Sequence, residues 1–205
     1  MGLLTKNKGN LAAVILLILG ISVSMYMRFI TIDRFQNNSA AALSDMRIRI
    51  VEVEPSHINL LFQRYGGAVF NYYGEQISLY MDFYSWDELV LSEVVVRLTT
   101  SEETDLNGSL FRGLKTERNI PGELRAELRA GGAMHQNYFD FSRLDFFHPQ
   151  VTIGPADVSG HIERGARHVL QVWQTGNMVR VSRDDFNPEV LRGSENTAIL
   201  YLIFD

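Results

Sequence analysis

The sequence predicts a mostly β protein: an N-terminal transmembrane helix followed by an antiparallel β-sandwich, or barrel, with one short helix. Three observations carry that reading. Leu11 to Met27 is a run of 17 residues without a charge, and the chain after it has a different composition. Ile77, Leu79, Met81 and Phe83 alternate strictly with Ser78, Tyr80, Asp82 and Tyr84, the period of a half-buried strand. Other β-rich runs are short and separated by Gly, Pro, Asn and Asp, as turns between antiparallel strands require.

The apolar run is read first. At the rise of an α-helix its length reaches only about 26 Å, slightly short of a bilayer core. Arg28 interrupts it, but Phe29, Ile30, Thr31 and Ile32 continue the apolar character. With Arg28 snorkelling to the interface, the span runs from Leu11 to Ile32. A cleaved signal peptide competes, because Lys6 and Lys8 precede the run and Ser22-Val23-Ser24 resembles a cleavage site. The run is longer than an ordinary signal core, and large residues follow Ser24, so an uncleaved signal anchor is preferred. A buried core helix is the third reading. A lipoprotein is excluded, since the chain contains no cysteine. Lys6 and Lys8 place residues 1–10 in the cytoplasm by the positive-inside rule, with the C-terminal domain outside.

Residues 33–45 read as a polar juxtamembrane linker, and residues 46–205 as one extracytoplasmic domain, long enough to bury a core. All 24 acidic residues lie after position 32, against 16 of the 19 basic ones, so residues 33–205 carry a net −8. An acidic domain without a basic stripe argues against nucleic acid and against anionic lipid. Zero cysteines suit a bacterial envelope better than a eukaryotic exterior, and exclude thiol catalysis.

Along the domain, Met46 to Glu54 alternates with a phase shift at Ile50-Val51, which predicts a strand with a β-bulge. Ser56 to Tyr65 places Ile58, Leu61, Phe62 and Tyr65 at helical spacing, closed by Gly66-Gly67. Ala68 to Tyr73 predicts a short strand turned at Gly74-Glu75. The alternating strand 77–84 turns at Ser85 to Glu88 and returns as Leu89 to Leu98, a β-hairpin. Thr99 to Asn119 is polar and turn-rich, with Asn107-Gly108 as a hairpin turn. ELRAELRA at 123–130 fits helix or strand; its eight residues between glycine turns favour strand. Further strands are expected at 139–147, 151–153, 158–162, 168–174 and 178–182, the last two joined at Gly176-Asn177. Thr197 to Phe204 is apolar on both faces, which predicts a central, fully covered strand.

Candidate chemistry is sparse. His135, Asp140, Asp145, His148, Asp157, His161 and His168 are metal-ligand types, but no HExxH, HxH or facial-triad spacing joins them. His161 and His168, seven apart, would face opposite sides if they shared a strand. No GxSxG or SxxK motif marks a nucleophile, and no glycine-rich phosphate loop follows a strand. Neither a catalytic residue, a metal site nor a cofactor is therefore assigned. The remaining lead is aromatic. Tyr80, Asp82, Tyr84 and Trp86 share the face of the alternating strand opposite its apolar one, where they would form a binding surface unless a second layer covers them.

The sequence thus points to a membrane-anchored envelope protein whose external domain binds another envelope protein without catalysis. Two alternatives stand beside it: a tethered metal-dependent hydrolase built around His135 to His168, and a structural subunit of a membrane assembly. The last draws on Gly20, Ser22 and Ser24 as small packing positions.

Overall fold

The computed structural model describes residues 45–51, 64–117, 120–144, 151–153, 160–177 and 187–205, together with Ser22 and Val181. The chain divides into two compact units, Met1–Ala41 and Ala42–Asp205, and every described residue but Ser22 lies in the second. Among the described residues no helix is long and apolar enough to cross a membrane. The predicted span 11–32 lies outside them except for Ser22, which is helical.

The second unit is mostly β, as expected, with antiparallel sheets in a β-sandwich-like arrangement. Its described strands are β1 (Arg47–Val51), β2 (Arg64–Asn71), β3 (Tyr73–Ser85), β4 (Glu88–Asp105), β5 (Gly108–Glu117), β6 (Ile120–Ala130), β7 (Ala133–Asp140), β8 (Val151–Ile153), β9 (Gly160–His161), β10 (His168–Gly176) and β11 (Ser194–Phe204). One sheet has the order β7-β6-β5-β2-β1-β9 and the other β4-β3-β11-β10-β8. Leu110, Leu124 and Leu128 from the first and Leu79, Met81 and Leu200 from the second belong to one buried cluster. That cluster is the core, and the alternation of β3 and β6 builds it.

A bent hairpin joins the two sheets. β2 pairs with β5 in one sheet, and their continuations β3 and β4 pair in the other. The chain crosses between sheets at Tyr72 and again at Leu106-Asn107, side by side. The Tyr72 amide donates to Asn107 Oδ1 (3.2 Å), and the Leu106 amide donates to the Tyr72 carbonyl (2.8 Å). Both Tyr72 and Leu106 are fully buried, so the corner is packed as well as bonded.

Several expectations are corrected by this corner. Asn107-Gly108 is no hairpin turn, because its asparagine side chain holds the crossing strand instead. Gly108 is needed for another reason: a Cβ there would lie 1.8 Å from the Arg129 carbonyl oxygen. The stretch 99–119 is largely ladder, not turn, since pairing with β3, β2 and β6 outweighs its polar composition. Gly74-Glu75 lies within β3, with a bulge between Gly74 and Gln76. Gly66-Gly67 does not stop a helix but pairs with Arg112 and Phe111, and Arg64 and Tyr65 are already strand. The rest of the predicted helix, 56–63, lies outside the described residues.

Other segments sort similarly. β1 pairs with β2 from Arg47 to Val51 without a register shift, so no bulge falls at Ile50-Val51. Residues 123–130 are strand, and Gly131 and Gly132, both at positive φ, turn β6 into β7. The strand expected at 139–147 starts earlier and stops at Asp140, whose carboxylate caps the 3-10 turn Phe141–Arg143 through the Ser142 amide (2.8 Å). The strand expected at 178–182 as the return of the Gly176-Asn177 hairpin lies outside the described residues except for Val181, which is not in a strand. β11 is the central strand of its sheet, between β3 and β10, and is almost wholly buried, as its apolar pattern requires.

Candidate functional site

The outer face of β3 carries Ser78, Tyr80, Asp82 and Tyr84. It is covered along part of its length, because Tyr84, Val169, Val172, Leu191, Ile199 and Tyr201 form a second apolar cluster over this sheet. Leu191 comes from the 3-10 helix Pro188–Gly193, whose start is capped by the Asn187 side chain. Asp82 and Tyr84 are consequently buried, Tyr80 is half-buried, and Trp86 is 51% exposed. The four residues therefore form two different environments.

The first is a polar network around Asp82, whose side chain is fully buried. Its Oδ1 accepts from the Ser92 hydroxyl (2.6 Å), and its Oδ2 accepts from Tyr201 (3.0 Å), Tyr84 (3.3 Å) and Arg167 Nη1 (2.9 Å). A buried carboxylate is stable when its lone pairs are met this fully. The Arg167 guanidinium lies 4.6 Å from the Tyr201 ring centroid, and Tyr201 stacks on Tyr80 at 5.4 Å. Arg97 then donates to the Tyr80 and Ser78 hydroxyls, both at 3.1 Å. Burial pushes the Tyr201 and Tyr84 hydroxyls up from the usual tyrosine range, and the charge of Asp82 adds to this in both. The phenols accordingly stay protonated as donors. The arrangement locks β3, β4, β11 and the Arg167 loop together.

The second environment is the β3–β4 turn. Ser85 pairs with Glu88, leaving Trp86-Asp87 as a two-residue loop. Trp86 has φ 57°, a left-handed conformation that costs a bulky residue about 1–2 kcal/mol. Two contacts hold it there: its amide donates to the Glu195 carbonyl (2.9 Å), and Arg192 pairs with Asp87 (2.6 Å). Leu89 and Val90 beside the turn are exposed, as is Val190 on the 3-10 helix that carries Arg192.

The metal-ligand types do not converge among the described residues. His135 lies on β7 and His161 on β9, the two edges of one sheet, five strand spacings or about 24 Å apart. His168 is buried on β10 in the other sheet, so it shares no strand with His161. Asp140 caps a 3-10 turn, and the Ser142 amide and hydroxyl hold its carboxyl below the usual range. Asp145, His148 and Asp157 lie outside the described residues. No group of three or more metal-ligand side chains occurs among those described.

The chain matches no known protein family, no curated protein and no solved structure. Sequence reading missed Ser92, Arg97, Arg167 and Tyr201 as partners of the Asp82 face. It also missed the exposure of Leu89 and Val90 after the turn and of Val190 on the 3-10 helix. For Arg167 no signal existed, because it sits in an aperiodic loop. Leu89-Val90 opened a Val-rich run that reads as buried.

Proposed function

We propose that this is a single-pass membrane-anchored envelope protein whose extracytoplasmic β domain is a non-catalytic binding module for another envelope protein. One observation carries the reading: Trp86 is half-exposed, strained and pinned, with Leu89 and Val90 exposed on the strand that follows it and Val190 exposed on the 3-10 helix whose Arg192 pairs with Asp87. A tryptophan held rigid before binding loses little freedom on contact, and it offers large apolar area with an N–H donor. The strain at Trp86 is a cost that folding alone gives no reason to keep. Apolar residues 11–32 support the anchor, which would confine the module to the membrane surface and raise its effective concentration near membrane partners.

The test uses the full chain in its native membrane, with a photo-crosslinking residue in place of Leu89. A discrete crosslinked partner, lost when Trp86→Ser and Val90→Ser are introduced without a change in melting temperature, is the expected result. An unchanged crosslink in that double variant would overturn the surface. Release of the chain from membranes by alkaline carbonate would overturn the anchor.

A further inference from the structure

We propose that the space between the two sheets contains an oxyanion site built on Arg112, and that its ligand is a carboxylate-bearing molecule. This site is separate from the Trp86 surface. Arg112 lies on β5 between Leu110 and Leu114, both core residues. The two-residue period of a strand turns its side chain inward with theirs. Its neighbours across the ladder are Gly66 on β2 and Ala126 on β6, small residues that leave room for a long side chain. A Cβ on Gly66 would sit 3.2 Å from Arg112 Nη2, so the guanidinium lies over that glycine. From there Nη2 donates to the Leu170 carbonyl (3.2 Å) on β10 of the opposite sheet.

The position lacks a counter-ion among the described residues. Arg167, Arg129, Arg143 and Arg164 pair with Asp82, Glu127, Glu93 and Glu103 respectively. Arg112 pairs with no carboxylate among the described residues, and the Leu170 carbonyl accepts only one of its five N–H bonds. Burial pushes its pKa down to about 10. An inward guanidinium without an anion is unfavourable, and an apolar side chain of similar size would suit this layer better. A second donor points the same way. Trp173, three residues beyond Leu170 on β10, is buried in the same core, and its indole N–H has no acceptor among the described residues.

The chemistry selects the ligand. A guanidinium presents a planar fork that matches a carboxylate through two parallel hydrogen bonds. One positive charge balances a monoanion better than a phosphate dianion. Leu110, Leu114 and Leu170 around it favour an apolar body behind the acid group. Arg112 keeps partial exposure. A small free acid and the head of an aliphatic acid share this chemistry.

The test uses the full chain in a non-ionic detergent, with Trp86→Phe leaving Trp173 as the one tryptophan. Hexanoate, acetate, inorganic phosphate and methyl hexanoate are titrated while Trp173 emission and melting temperature are followed. Hexanoate is expected to change the emission saturably and to raise the melting temperature, while methyl hexanoate does neither. Arg112→Met should weaken that response at least tenfold, yet melt no lower than its parent without acid. A response to acetate equal to that of hexanoate identifies a small acid as the ligand; a response to hexanoate alone identifies an aliphatic one. Phosphate binding as tightly as hexanoate would overturn the carboxylate assignment. The site itself is overturned by no saturable response to either acid, or by an equal one in Arg112→Met. Loss of folding in both Arg112→Met and Arg112→Lys would overturn it too, making the arginine part of the frame.

Discussion

Arg167 Nη1 lies 2.9 Å from Asp82 Oδ2, joining a loop before β10 to the outer face of β3 across 85 positions of chain. Asp82 is fully buried, whereas the Arg167 side chain is 34% exposed, so the two ends of the pair are not equivalent. Removing the carboxylate takes an acceptor from two phenols, a serine hydroxyl and a guanidinium. Removing the arginine leaves the carboxylate three hydroxyl donors. Asp82→Ala should therefore destabilise by about 3 kcal/mol and Arg167→Ala by about 1–2 kcal/mol, the latter discounted for solvent screening. Chemical denaturation of the two variants and their double measures this, with a coupling of about 1 kcal/mol expected. An Asp82→Ala variant within 0.5 kcal/mol of the parent would show that the network is ornamental.

The same network sets an alkaline limit. Tyr84 and Tyr201 titrate higher in the folded protein than in the unfolded chain, where a phenol ionises near 10. Above that pH the unfolded state releases protons that the native state retains, so stability falls as pH rises. The contribution is whole below about pH 10 and is lost as pH climbs through the raised folded values. Melting temperature should accordingly drop steeply from about pH 10 upward. Tyrosinate absorbance should show a late fraction ionising together with unfolding. Tyr201→Phe should flatten the drop, and an unchanged slope in that variant would separate Tyr201 from it.

Glycines test the corner. Gly108→Ala forces a Cβ against the Arg129 carbonyl oxygen, backbone that cannot swing aside, and should destabilise by about 3 kcal/mol or more. Gly122→Ala meets only the Lys115 carbonyl at 3.4 Å, ordinary contact, and should lie within about 1 kcal/mol of the parent. Amide exchange in β5 and β6 would rise in the first variant alone. Equal melting of the two variants would mean the close approach at Gly108 relaxes freely.

Strict alternation made β3 readable from sequence, and with it the face that holds Asp82, because one side of that strand meets the core and the other does not. β11 was readable for the opposite reason, being apolar on both sides. The Thr99–Asn119 region was not. Its residues Ser101 to Asp105 are exposed along a strand, and its turn-like Asn107 serves a crossing 35 residues away in sequence. The same misreading hid Arg112, although Leu110 and Leu114 flank it at even spacing. The network partners of Asp82 stayed hidden because contacts such as that with Tyr201, 119 residues on, leave no local pattern.

The C-terminus offers the sharpest test of the architecture. β11 pairs with β3 from Phe204 back to Asn196 and with β10 from Leu202 back to Ser194, so both neighbours depend on it. Deleting residues 197–205 removes Leu200, Leu202 and Phe204 from the main core and Ile199 and Tyr201 from the outer cluster. It also takes one donor from Asp82. No soluble, cooperatively melting domain is expected from that truncation. Deleting Asp205 alone should be far milder. It removes the acceptor of the Glu75 and Gln76 amides, at 3.0 and 2.8 Å, and the donor to the Gln76 carbonyl, at 2.9 Å. These bonds lie at an exposed end where water replaces them, so a loss of about 1–2 kcal/mol follows. Thermal melts of the two truncations, set beside the parent, separate a strand that holds the sheet from a terminus that merely closes it. A nine-residue truncation that melts cooperatively would show that β3 and β10 can pair without β11.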